Sequence, residues 1–206
     1  MLDLEKIRRK VARVTRRSWM KHALRNISNN DNHSGLERAY WIRDPWNLDS
    51  PVEHARFAAT NRLLEQEFGR VDDLLELGCG EGLQSTYLQK LCERLHGVDV
   101  SPTAVARARA RLPEANFHVG DLIGQGWHNQ GRRFNVLVAC EVLYYVQDLR
   151  ATLDVMNAIS DHCFVTFFTP EAHKLSETIR QIPNVHQGWY SDSGFTWLMA
   201  WWSNPR

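Results

Sequence analysis

The stretch VDDLLELGCGEGLQSTYLQKLCERLHGVDVS, residues 71–101, restricts what this chain can fold into more than any other. It predicts a strand from Asp73 to Leu77, a glycine turn (Gly78-Cys79-Gly80-Glu81-Gly82), a helix from Leu83 to Arg94 and a second strand from Leu95 to Val100 with Asp99 at its tip. A turn that leaves a strand and at once opens a helix needs unusual dihedrals and bare backbone, which glycine supplies. The unpaired N–H groups of the helix start then face whatever lies over the turn. This is half of a nucleotide-binding βαβ unit.

The flanking sequence repeats the alternation. Ser50-Pro51-Val52-Glu53 is a helix start, with a capping serine, proline in the first turn and glutamate at the third position, and Gly69 ends that helix after Phe68. Ser101-Pro102 opens another, to Arg111. Asn116–Val119, the apolar run Phe134–Cys140 and Cys163–Phe168 read as strands, with helices over Leu149–Ile159 and Pro170–Ile182. Two last strands, Val185–Tyr190 and Phe195–Trp202, join through a turn at Ser191–Gly194. The fold class is therefore α/β: a doubly wound, seven-stranded, mostly parallel sheet with an antiparallel last strand. Residues 61–206 form this domain and residues 1–60 a helical extension or lid.

Residues 1–25 carry nine bases against Asp3 and Glu5, with Leu4, Ile7, Val11 and Val14 at helical spacing. The expectation is a basic, solvated helix docked on the domain. The polar stretch from Asn26 to Gly35 reads as a linker. Over the whole chain 25 basic and 24 acidic residues nearly cancel, so bulk charge selects no nucleic-acid partner. No run approaches the roughly 20 apolar residues of a membrane span, and MLDLEKIRRK has no secretory core. The four cysteines form no CxxC pair; Cys79, Cys140 and Cys163 sit in apolar runs as reduced thiols, and the nine histidines show no metal-ligand spacing. A cytoplasmic location without a metal is expected.

Dinucleotide enzymes use GxGxxG. This chain has Glu76-x-Gly78-x-Gly80-x-Gly82, with Leu83 where the third glycine belongs, which argues against a pyrophosphate. Asp99, 21 residues after Gly78, is placed to accept from both ribose hydroxyls. Asp121, after the third strand, suits an adenine amino group, and Glu76 a cationic amine. An adenosine joined to an amino-acid tail satisfies this set, and S-adenosylmethionine is such a molecule.

LELGCGEG (75–82), GVDVS (97–101), VGDL (119–122) and FNVLVACEVLYYV (134–146) together resemble the motifs of class I S-adenosylmethionine-dependent methyltransferases. Asp44-Pro45-Trp46, Ser50-Pro51-x-Glu53-x-x-Arg56, CEVLYY (140–145) and Asn204-Pro205 more closely resemble the nodulation-type N-methyltransferases NodS, which act on the deacetylated glucosamine end of chitooligosaccharides. The charged N-terminal helix and Glu81 depart from that family's pattern. The resemblance implies cofactor contacts at Glu76, Gly78, Cys79, Gly80, Asp99, Val100, Asp121, Leu122 and Cys140. Arg56, in that family-like context, is expected to pair with the methionine carboxylate, and Tyr40, Trp41 and Trp46 are expected either to close over the cofactor as a lid or to pack in the core.

Methyl transfer to an amine needs the acceptor in line, water excluded and a base for the proton. Glu141 is the first candidate base, Tyr144 and Tyr145 candidate acceptor contacts, and His54 a second base. Among Trp189, Trp197, Trp201 and Trp202, strand alternation buries some and leaves others to line a site. The acceptor implied is a small-molecule or oligosaccharide amine. The alternatives are an RNA methyltransferase using the basic helix, although no NPPY-like tetrapeptide follows the fourth strand, and a non-catalytic cofactor-binding partner.

Overall fold

The computed structural model describes residues 4–25, 32–172 and 176–204. Three helices come first: α1 (Leu4–Ala23), α2 (Asn32–Ala39) and α3 (Pro51–Phe68). The alternating part follows as β1 (Val71–Leu77), α4 (Ser85–Leu88), β2 (Cys92–Asp99), α5 (Pro102–Arg111), β3 (Asn116–Val119), β4 (Phe134–Cys140), α6 (Leu149–Ile159) and β5 (Ser160–Phe168). Two short helices, α7 (Thr169–Ala172) and α8 (Ser176–Arg180), lead to β6 (His186–Asp192) and β7 (Phe195–Ser203). The strands form one sheet in the order β3-β2-β1-β4-β5-β7-β6, and β7 is antiparallel to both its neighbours, as expected for the last strand.

The chain builds outward from β1 through β2 to β3 and then crosses back to β4. The carboxyl ends of β1 and β4 therefore flank a topological switch point, where open α/β sheets bind ligands. Alternation sends Leu75, Leu77, Leu137 and Ala139 to one face with Met156 of α6, and Leu74, Val136 and Val138 to the other with Leu64 of α3 and Val105 of α5. The expected caps are present: Ser50 Oγ accepts from the Glu53 amide (3.4 Å) and Ser101 Oγ from that of Ala104 (3.0 Å).

Four differences from the sequence expectation exceed two residues. The helix over Leu83–Arg94 is a single turn, α4, continued by a 3-10 turn at Gln89–Leu91, and β2 starts at Cys92 instead of Leu95. The cause is pairing: Val71 lies opposite Cys92 and Leu74 opposite Leu95, so a helix continued to Arg94 would leave the first half of β1 unpaired on that side. Likewise β5 starts at Ser160, opposite Phe134, although Ser160-Asp161-His162 is polar. The helix expected over Pro170–Ile182 is divided into α7 and α8, with residues 173–175 outside the described ones, and it stops at Arg180 because Pro183 restricts Ile182. Of the expected linker, residues 26–31 lie outside the described ones, and residues 32–35 are helical because Leu36 and Ala39 give α2 a buried face.

Trp197 and Trp202, on opposite faces of β7, are both core residues, Trp201 is half-buried and Trp189 exposed. Trp41, expected in the cover, lies outside it, exposed and tilted against Trp19. No described helix is long and apolar enough to cross a membrane. All four cysteines are free.

Candidate functional site

The glycine turn is bare for three reasons. Gly78, Gly80 and Gly82 have φ of +73°, +53° and +77°. A Cβ on Gly78 would lie 2.4 Å from the Val142 side chain, and on Gly80 2.8 Å from the Tyr40 hydroxyl. On Gly82 it would meet Ala108 of α5 at 3.2 Å, so this glycine serves helix packing. The amides of Gly78 and Cys79 both donate to Val98 O (2.8 and 3.1 Å), which ties the turn to β2. Leu83 is buried where dinucleotide enzymes place glycine.

Asp99 and Glu76 are both buried beside this turn. Asp99 accepts from the amides of Gly80 and Ser101, each at 2.9 Å, one per oxygen, and keeps a lone pair on each. Burial raises its pKa to about 6. Glu76 accepts from Ser85 Oγ, and burial, with the charge of Asp99 adding to it, raises its pKa to about 8. Asp121 differs: its side chain is half-exposed, Oδ1 accepts from the Gly124 amide and Oδ2 lies 4.0 Å from His33 Nε2. Val100 is half-buried and Leu122 is part of the core.

Arg56, which as a helix residue with charged neighbours reads equally as a solvated cation, is 1% exposed. Its Nε donates to Glu53 (2.7 Å), its Nη1 to Gln84 Oε1 (3.3 Å), and Gln84 Nε2 reaches Cys140 Sγ (3.2 Å). Burial works against its charge, and Glu53, Cys140 and Glu141 more than restore it. Burial also raises the Cys140 thiol to about 11. Sequence reasoning missed Gln84, which no spacing rule marks.

Residues 37–46 cover the turn. Tyr40 is buried and packs tilted against Trp46 at 5.0 Å, and Trp46 Nε1 donates to the Tyr145 hydroxyl (3.3 Å). Burial, with Asp99 and Cys79 adding to it, pushes the Tyr40 phenol well up. Glu81, an anomaly in the sequence, fastens this cover: it is 5% exposed and accepts from the Asp44 amide (2.9 Å) and from Arg107 of α5 (2.5 Å). Arg107 also donates to Ile42 O (3.1 Å). Glu37 of α2 accepts from Ser101 Oγ, Thr103 Oγ1 and the Thr103 amide, so an outside residue caps α5.

On the other side of the switch point Glu141 sits at φ +57°, half-buried. Its Oε1 accepts from Thr166 Oγ1 (2.7 Å), and its Oε2 from the Phe168 amide (2.9 Å) and Tyr144 hydroxyl (3.2 Å). Burial raises its pKa. The Tyr144 hydroxyl also accepts from the Phe168 amide, so both residues clamp the end of β5 to the exit of β4. His54 has both ring nitrogens occupied, Nδ1 by the Tyr87 hydroxyl and Nε2 by Asp49, each at 2.8 Å.

Strand order, bare turn and acid-tipped strands are those of the class I methyltransferase fold. The family model described as Nodulation protein S (NodS) matches residues 28–172, and the chain belongs to that family. Nodulation protein S of Sinorhizobium fredii is 31% identical over 150 residues, covering 72% of this chain and 66% of that protein. That of Bradyrhizobium diazoefficiens is 35% identical over 124 residues, covering 60% and 59%. The chain thus spans between about half and two thirds of the length of the curated relatives it matches. The crystal structure of N-methyltransferase NodS from Bradyrhizobium japonicum WM9 with S-adenosyl-L-homocysteine aligns with a TM-score of 0.69 at 26% identity, over 86% of this chain and 100% of that one.

Proposed function

We propose that this chain is an S-adenosylmethionine-dependent N-methyltransferase whose acceptor is a small-molecule or sugar amine. The observation that carries this is the pair Glu76 and Asp99, buried beside bare backbone with hydrogen-bonding capacity left over. A buried acid with too few donors is costly unless a ligand completes it. Asp99 would take the ribose hydroxyls, Glu76 the ammonium group and Arg56 the carboxylate. Gly78, Cys79 and Gly80 supply backbone, Val100, Leu122 and Cys140 line the wall, and Tyr40 and Trp46 cover it. Asp121 would reach the adenine amino group through its Oδ2.

Bound there, S-adenosylmethionine supplies an electrophilic methyl group, which the amine lone pair attacks as the thioether leaves. The chain's own part is to align the acceptor, exclude water and receive a proton. Glu141 suits that last role: Oε1 accepts from Thr166 and keeps a lone pair, and burial makes the carboxylate more basic. Tyr144 positions it. His54 would first have to release Asp49 or Tyr87. Residues 1–60 act as the lid, with Glu81 as its fastening.

The family relationship and the N-methyltransferase named among its solved members support N-transfer over the RNA and non-catalytic alternatives. The test is calorimetry with S-adenosylhomocysteine, followed by transfer of labelled methyl to glucosamine-terminated and N-acetylglucosamine-terminated oligosaccharides. Binding, with transfer to the free amine alone, is expected; no binding sinks the cofactor assignment, and binding with transfer to neither sinks the acceptor.

A further inference from the structure

We propose that α1 is a membrane-surface helix that seats this chain on an anionic phospholipid bilayer. Helical register places positions 4, 7 and 11 in line with Val14, the apolar row of the sequence. A helix docking by its apolar side would bury Val14, and Val14 is exposed. The side turned to the domain carries Ala23, fully buried, the half-buried Met20, Trp19, whose Nε1 donates to Ala39 O (3.2 Å), and Arg16, bonded to Asn47. At about 3.6 residues per turn these positions lie roughly opposite Val14, which is 56% exposed.

Val14 lies beside a band of cations. Arg17 and Lys21 are exposed next to it, and residues 1–25 hold nine bases against two acids. An apolar row bordered by lysine and arginine is what an interfacial helix presents to anionic lipid. A second copy is the poorer occupant: positions 8, 10 and 17, which border the row, are Arg, Lys and Arg, so self-pairing would set like charges together. Nucleic acid would use the cations and leave the apolar row in water. The helix also precedes the residues shared with the family, 28–172, so the role does not rest on the methyltransferase reading.

The test is co-sedimentation of the full chain with vesicles of phosphatidylcholine alone and of phosphatidylcholine mixed with phosphatidylglycerol. Binding to the mixed vesicles only is expected. Val14→Asp should abolish it, and Arg17→Gln and Lys21→Gln should each weaken it about five-fold, all with an unchanged melting midpoint. Absence of binding to the mixed vesicles overturns the proposal. So does Val14→Asp binding like the parent while the chain holds single-stranded RNA, which would assign the cations to nucleic acid. A dimer in sedimentation equilibrium that Val14→Asp dissolves would assign the row to a second copy.

Discussion

The two sides of the switch point bury carboxylates in opposite ways. Glu141, after β4, accepts from a hydroxyl, a backbone amide and a phenol, and its bonds join β4 to β5. Glu76, at the end of β1, accepts among the described residues from Ser85 alone, and Asp99 takes one amide per oxygen. Burial costs a carboxylate several kcal/mol unless donors replace water. The Glu141 side is therefore nearly complete as it stands, whereas the Glu76 and Asp99 side keeps accepting capacity that the proposed cofactor would use. A well-bonded acid is scaffold first and reagent second.

The sharpest way to break this contrast is Asp99→Ala. The two charge-assisted hydrogen bonds proposed to the ribose would be lost, and affinity for S-adenosylhomocysteine measured by calorimetry should fall about 100-fold or more; a loss of a few-fold would mean that Asp99 only braces the turn. Glu141→Gln should do the reverse. Its amide meets donors that now lack an acceptor, so stability should fall by about 1–3 kcal/mol in denaturant titrations, with cofactor affinity held and turnover reduced. Unchanged turnover would remove Glu141 from the proton's path.

Protonation separates the two sides further. The folded values of Glu76 and Asp99, about 8 and about 6, lie above the ordinary 4.5 and 3.8. The folded chain without ligand therefore holds protons that the unfolded chain has released. Their contribution to stability is full below about pH 4 and is lost as pH rises through about 6 to 8. An ammonium beside Glu76 would draw its proton off, so binding of S-adenosylhomocysteine near neutral pH should release up to about one proton. Calorimetry in buffers of different ionisation enthalpy measures this, and Glu76→Gln should abolish it. The smallest effect belongs to Asp121→Asn: the side chain is half-exposed and its local turn survives the change, so affinity should move only about two- to three-fold.

Much of this was legible in local sequence. The capped starts at Ser50 and Ser101, the helix Leu149–Ile159 and the glycine turn each depend on residues within a few positions of one another. Arg56 was legible as a candidate, while its burial was not, because that depends on Gln84, 28 residues on. The same distance hid Glu81, whose partners Asp44 and Arg107 lie 37 and 26 residues away, and Glu37, which caps a helix 64 residues on. The over-long helix at Leu83–Arg94 failed for a related reason. Local propensity holds Ser85–Leu91 in helical turns, and pairing with Val71–Leu74 takes Cys92–Arg94 into the sheet.

The fastening at Glu81 has a consequence for how fast the cover can lift. Glu81 and its partner Arg107 together hold residues 42–44 against α5, so that segment cannot peel away without breaking the Asp44 amide's bond to Glu81 and the Arg107 bond to Ile42 O at once. Local opening should then be a concerted event, seen as an Asp44 amide that exchanges its hydrogen far more slowly than a loop position ordinarily does. Entry and departure of anything beneath Tyr40 would inherit that clock.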